Sequence, residues 1–481
     1  MYPLYKNDIE KGLITDEEVL ELIEILRIKD MKLNRVSGKA NRKKNSGMAK
    51  CHNWTLGGVK ADGTDAANEL TSLVMKAALE TKVPHFTCTL RVHEETSLDL
   101  IVEGLKVVRE GLGMPAFVGD PSYIKFFTDN GNTLEEARDY CMTGCLDGNI
   151  PAVTRCQTVV MFIIAQAFDI FMHNGFCKFS NEIVGIETGD VTKFETFEEY
   201  EAAFYKQFGY LIGLAVERNN IEMISQRDLF PDPFRSSLMK NGIKEGKDLL
   251  HRKFKFDNAN LLCAVGGVNV ADSLAAVKTL VFDEKKYTMQ ELLKALDADW
   301  VDYDEMRKDF LNAPKYGNNI DLPDQKAAEI YSFFAQKLSE LPHAYGGYCI
   351  ATAISITAHQ PGGQGVGATP DGRKAGTILA DGSMSPMQGM DKNGPLAVFQ
   401  SAMKINQDEY QATLMNMKFH PSALKTDDDL YKLAGVIKTY FMNGGKHVQF
   451  NVVDGQVLKA AQKEPEKYED VVVRVAGYSA Y

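Results

Sequence analysis

The chain has 481 residues, 44% of them hydrophobic and 25% charged, with 39 glycines and 16 prolines and no low-complexity tract, the composition of a soluble globular protein. Its 54 Lys and Arg against 65 Asp and Glu leave a net charge of -11, which argues against nucleic acid or an anionic membrane as partner. The start MYPLYKNDIE lacks the basic-then-apolar pattern of a signal peptide. The longest apolar run, Val159 to Phe168, is about half of a spanning helix. A cytoplasmic location follows as the expectation, and the eight scattered cysteines read as reduced thiols.

In chain order, TDEEVLELIEIL begins with a Thr15/Glu18 capping box and places its apolar residues on one helical face. The basic cluster KANRKK, Lys39 to Lys44, reads as a solvated loop. TLEEARDYCM repeats the helix-start signal with Thr133 and Glu136 and puts Cys141 at the helix end. It runs into TGCLDGNIP, where Gly144, Gly148 and Pro151 predict a tight turn exposing Cys145 and Asp147. A cysteine with a carboxylate two residues on is a plausible reacting pair, although most cysteines without a partner are buried structural residues. Thr158 to His173 is apolar nearly all round and predicts a buried helix. TMQELLKAL carries a third capping box, Thr288 and Glu291.

From about Tyr345 glycines and turn residues crowd around AISITAH, Ala353 to His359, a strand expectation. A helix over Asp427 to Met442 is closed by Asn443-Gly444-Gly445. HVQFNVVD alternates, with Val448, Phe450 and Val452 on one side, and VVVRV, Val471 to Val475, predicts a buried strand leading into Gly477. GGQGVGA lacks dinucleotide-loop spacing, and no GxSxG elbow, HExxH or paired zinc spacing is present, so neither a nucleotide nor a metal is expected.

The final RVAGYSA, Arg474 to Ala480, resembles the glycyl-radical signature of the glycyl radical enzymes, the group of pyruvate formate-lyase and glycerol dehydratase. NWTLGGVKADGTDAANELT, EEARDYCMTGC, GGVNVADSLAAVK, APKYGN and VGATPDGRKAGTILADG resemble stretches of the same family in the same order. The resemblance implies an α/β fold, a ten-stranded barrel of two half-sheets surrounded by helices, here incomplete at its N-terminus. Residues 1–344 would be the C-terminal part of the catalytic barrel with the cysteine loop, and residues 345–481 a glycine radical domain cut just after the radical glycine. The chain is thus expected to be a fragment.

The same resemblance implies Gly477 as radical carrier, Cys145 as the thiyl residue and Asp147 as general base. It also implies a separate activating enzyme that uses S-adenosylmethionine and an iron–sulfur cluster, a small-molecule substrate, a homodimer and life without oxygen, with no cofactor bound by the chain itself. Pyruvate formate-lyase carries two adjacent cysteines, whereas Leu146 follows Cys145 here, which argues against acyl transfer. The family's dehydratases and C–N lyases have Cys-x-Glu; Asp147 is one methylene shorter, pointing to a different or bulkier substrate or an intervening water. The expected reaction is a thiyl-initiated elimination of the dehydratase, C–N or C–S lyase type, with decarboxylation of an arylacetate or a non-catalytic relative as alternatives. Arg91 and His93 could face the site or form a structural ion pair.

Overall fold

A computed structural model describes residues 1–33, 52–156, 159–254, 257–258, 261–477 and 479–480. The basic cluster at 39–44 lies outside the described residues. The chain divides into two compact units, residues 1–151 with 414–481, and residues 152–413. Each is mixed α/β.

The first unit is built on a five-stranded sheet whose neighbours run Asn53–Gly57, Thr87–Val92, Ala116–Gly119, His447–Val452 and Asn416–Phe419. Pairing is parallel throughout except between Ala116–Gly119 and His447–Val452, where an early and a late segment of the chain meet antiparallel. Buried parallel strands carry apolar residues on both faces as a rule. His447–Val452 departs from it. Val448, Phe450 and Val452 occupy one face, with the Phe450 ring 6.0 Å from Phe117 and 5.7 Å from Phe419. His447, Gln449 and Asn451 occupy the other, and they are buried too. The alternation expected from the sequence is present, and both the apolar and the polar face of the strand are buried.

Helices Leu98–Val107 and Asp427–Met442 pack against each other beside this sheet. The second is capped by a Thr426/Asp429 box and ends at Asn443 with Gly444 at φ +91, the closure its sequence predicts. The Thr15/Glu18 and Thr133/Glu136 boxes are also formed. The latter helix is only Leu134–Arg138, so Cys141 lies beyond it, in a strand, contrary to expectation.

The second unit holds a parallel sheet of Val159–Ile163, Leu261–Val265 and Ile350–Thr352. The single helix expected from Thr158 to His173 is instead the strand Val159–Ile163 followed by the helix Ile164–Met172. An apolar run buried on all sides has no periodicity to separate the two states, and pairing with Leu261–Val265 decides. The strand expected over AISITAH lies just before it, at Ile350–Thr352. The run itself turns at Ile356, φ +51, and enters the short helix His359–Gln364. The Thr288/Glu291 box caps Met289–Asp297 as expected. Among the described residues no helix is long and apolar enough to cross a membrane, and the described cysteines form no disulfide.

Candidate active site

Cys141–Thr143 and Asp147–Asn149 form an antiparallel hairpin in the first unit, with Thr143 opposite Asp147. Residues 144–146 make its three-residue turn, and Gly144 supplies the left-handed position at φ +64. Cys145 therefore stands at the apex. The expectation of an exposed turn is corrected, because Cys145 is buried, with 5% of its surface accessible. Three neighbours fix the hairpin. Asn53 Nδ2 donates to the Cys145 carbonyl at 3.1 Å, Thr55 Oγ1 accepts from Met142 N at 2.9 Å, and the Tyr123 hydroxyl donates to the Leu146 carbonyl at 3.2 Å. Gly148 is small for a reason: a Cβ there would come within 2.9 Å of the Tyr123 ring. Asn53 and Cys141 also line a cavity of about 410 Å³ walled by Trp54, Leu56, Thr71 and Val74.

Arg91 and His93 each pair with a carboxylate, Arg91 as an ion-paired support of the hairpin. The Arg91 guanidinium bridges both oxygens of the buried Asp120 at 2.8 and 3.0 Å and donates to the carbonyls of Tyr140 and Arg138, just ahead of the hairpin. The Tyr140 ring lies 3.9 Å under it, and the Tyr140 hydroxyl donates to Asp120 at 2.6 Å. His93 Nε2 meets Asp65 at 3.2 Å. Truncating Arg91 to alanine would strand Asp120 without its cation, so we expect a loss of about 3–5 kcal/mol in chemical denaturation.

Asp147 opens the return strand. The residue is half-buried, but its Oδ1 is sealed from solvent and makes no hydrogen bond. Burial pushes its pKa up from 3.8 to about 7, so the carboxyl changes charge near neutrality.

Gly477 lies in the loop of a second hairpin, Val473–Arg474 paired with Ser479–Ala480. The expected buried strand over 471–475 is thus cut to two residues, with Val471 to Val473 only half-buried. Gly477 is buried at φ +74, and a Cβ built on it would lie 2.4 Å from Cys145 Cβ and 2.9 Å from Cys145 Cα. Both the backbone angle and the space exclude a side chain. The hydrogen that stands where an L side chain would begin points at Cys145. Sequence-distant Cys145 and Gly477 are therefore in contact, and Asp147 sits two residues along the same hairpin.

The glycine hairpin is moored by side chains rather than by a sheet ladder. Asn451 binds both backbone groups of Arg474, each at 2.8 Å. Gln449 Oε1 accepts from Gly477 N at 3.2 Å and from Arg474 Nε at 2.8 Å. Asn416 Nδ2 donates to the Val475 carbonyl at 3.3 Å, and Ser479 Oγ donates to the Leu112 carbonyl at 2.9 Å. Gly113, φ +64, makes room for Arg474, since a Cβ there would lie 2.4 Å from Arg474 Cβ. His447, on the same polar face, accepts from Met415 N, and burial, with the Arg474 charge adding, keeps its imidazole well below the ordinary pKa. None of these moorings was expected from the sequence. The signal available was the triplet His447, Gln449 and Asn451, three polar residues at alternating positions of an otherwise apolar strand.

The chain matches the pyruvate formate lyase-like family over residues 1–363 and the glycine radical family over residues 380–481. It is 32% identical to the trans-4-hydroxy-L-proline dehydratase of Clostridioides difficile over 99% of this chain and 60% of that protein. It is 34% identical to the isethionate sulfite-lyase of Oleidesulfovibrio alaskensis over 100% of this chain and 59% of that protein. Its fold superposes on the glycerol-bound B12-independent glycerol dehydratase of Clostridium butyricum with a TM-score of 0.92 at 36% identity, covering 97% of this chain and 59% of the other. The chain belongs to the pyruvate formate lyase-like family of glycyl radical enzymes and has that family's α/β barrel fold. It spans about 60% of the length of the curated relatives it matches.

Proposed function

We propose that this chain is the part of a glycyl radical lyase that carries its radical and its hydrogen-abstracting thiol, acting by elimination on a small hydroxylated, amino or sulfonate substrate. The observation that carries the reading is the contact of Gly477 with Cys145. An α-carbon radical is stabilised by the amide nitrogen on one side and the carbonyl on the other, and only glycine adds no side chain to hinder the planar state. The residues present suit it: Gly477 is buried, has no room for a Cβ, and meets the Cβ and backbone of Cys145 on the one face where a Cβ would stand. A radical stored there would take the hydrogen atom of the Cys145 thiol, breaking S–H, forming Cα–H and leaving the unpaired electron on sulfur.

From there the chain's own groups act. As Gly477 regains its hydrogen from Cys145, the sulfur becomes able to take a hydrogen atom from a substrate C–H bond. Asp147, when ionised, accepts the proton of a substrate hydroxyl as the neighbouring group leaves with its bonding electrons. Cys145 then returns the hydrogen to the product. Burial keeps water and oxygen from the pair. The single cysteine at the apex, with Leu146 next to it, supports elimination over an acyl transfer that would need two thiols.

The radical would be installed at Gly477 by a separate S-adenosylmethionine-dependent iron–sulfur activating enzyme. Among the described residues no group of His, Cys, Asp and Glu is placed to hold a metal ion. Residues 1–344 would carry the cysteine hairpin and residues 345–481 the glycine loop, in a cytoplasmic homodimer. Anaerobic activation followed by electron paramagnetic resonance tests the reading. A doublet that disappears in Gly477→Ala is expected. No doublet, with an activating enzyme shown to work on a related protein, would mean an inherited but unused motif and a non-catalytic scaffold.

A further inference from the structure

Given that Gly477 stores the radical, we propose that Gln449 is a positioning residue whose side-chain carbonyl holds the Gly477 amide so that the α-carbon stays turned toward Cys145. Gln449 is fully buried on the polar face of His447–Val452. Its carboxamide is committed at both ends. Oε1 accepts from Gly477 N–H and from Arg474 Nε–H at 3.2 and 2.8 Å, while Nε2 donates to Asn416 Oδ1. A flipped amide would set its NH₂ against two donors, so the hydrogen-bond pattern allows one orientation. Asn416 in turn holds the Val475 carbonyl, which braces the loop two residues before Gly477.

The need for such a restraint follows from the glycine itself. Rotation about its N–Cα bond would swing the hydrogen that faces Cys145 out of line, and no side chain resists that rotation. The flanking strands are two residues each, too short to hold the loop by a ladder. Asn451 and Leu112 act at Arg474 and Ser479, on either side of the loop. Gln449 acts at the Gly477 amide. Hydrogen transfer between carbon and sulfur requires near contact, and small misplacements cost rate steeply.

Gln449→Met keeps the length of the side chain without the acceptor. In the unactivated protein, hydrogen exchange followed by mass spectrometry is expected to show the Gly477 amide exchanging about tenfold faster in this variant. An unchanged rate would overturn the inference whatever the radical does. After activation in D₂O, the doublet of the parent should collapse toward a singlet as deuterium passes from the Cys145 thiol to the α-carbon. In Gln449→Met the radical yield should match the parent and the collapse should be slower by about tenfold or more. Collapse at the parent rate would overturn the proposal. So would loss of the radical at an unchanged melting temperature, which would place Gln449 in radical installation instead. If the melting temperature falls, Gln449→Glu, which keeps an acceptor for both donors, is expected to restore the collapse, and failure to do so would count against the role. Absence of a doublet in the parent would sink the radical reading alone and leave amide exchange to decide on Gln449.

Discussion

Cys145→Ser is expected to take up the glycyl radical as the parent does and to turn over substrate at least about 10⁴-fold more slowly. The substitution changes one atom at the apex of a hairpin whose backbone is held by Asn53, Thr55 and Tyr123, so the fold and the mooring of Gly477 should persist. What changes is the strength of the bond to hydrogen. An S–H bond lies close enough to the glycine Cα–H for the atom to pass both ways, whereas an O–H bond is far stronger and the exchange is uphill. The doublet should also remain a doublet in D₂O, because its collapse needs the thiol. Turnover within tenfold of the parent would remove Cys145 from the mechanism. Gly477→Ala differs in kind. Its Cβ would collide with Cys145 at 2.4 Å and its backbone would sit at φ +74, so about 1–3 kcal/mol of stability should go with the radical. The serine variant is therefore the cleaner test of the relay.

Asp147→Asn is expected to leave the doublet intact and to lower turnover by about 10²–10⁴-fold, the usual worth of a general base. Two pH profiles separate this role from a packing role. For the parent, kcat/KM should rise as pH passes through about 7, where the buried carboxyl ionises, and the Asn variant should lose that rise. Stability should move the other way. The folded pKa of about 7 lies above the ordinary 3.8, so the folded state holds a proton that the unfolded chain has released. The parent therefore loses stability between pH about 4 and about 7, by roughly 2–4 kcal/mol at most, and no further above that. The asparagine side chain carries no charge to bury, so the variant should gain on the parent in urea denaturation at pH 8 and lose the advantage near pH 4. A parent whose stability is flat across that window would argue that Asp147 is solvated, and with it the pH dependence of turnover would fall.

Cys145, Asp147 and Gly477 were nominated by the resemblance of short contiguous stretches to a known family, and such stretches are legible along the chain. The capping boxes at Thr15, Thr133 and Thr288 and the closure after Met442 were legible for the same reason, since caps depend on neighbours three or four residues away. Where an element is set by pairing, reading along the chain failed. Val159–Ile163 is a strand because Leu261–Val265 lies beside it, and the expected strand at 471–475 shrank because, among the described residues, it pairs with the two-residue Ser479–Ala480 alone.

Residue types and local spacing thus determined the capped helix starts and the mixed α/β class, properties that depend on close neighbours, while the resemblance of short stretches nominated Gly477, Cys145 and Asp147. The tertiary structure alone decided that Cys145 is buried rather than exposed, that its Cβ stands where Gly477 could not carry one, and that Asp147 titrates near neutrality. It alone turned Gln449, Asn451 and Asn416 toward the glycine loop. Contact, desolvation and hydrogen bonding between segments hundreds of residues apart exist only once the antiparallel joint between Ala116–Gly119 and His447–Val452 brings the two ends of the first unit into one sheet.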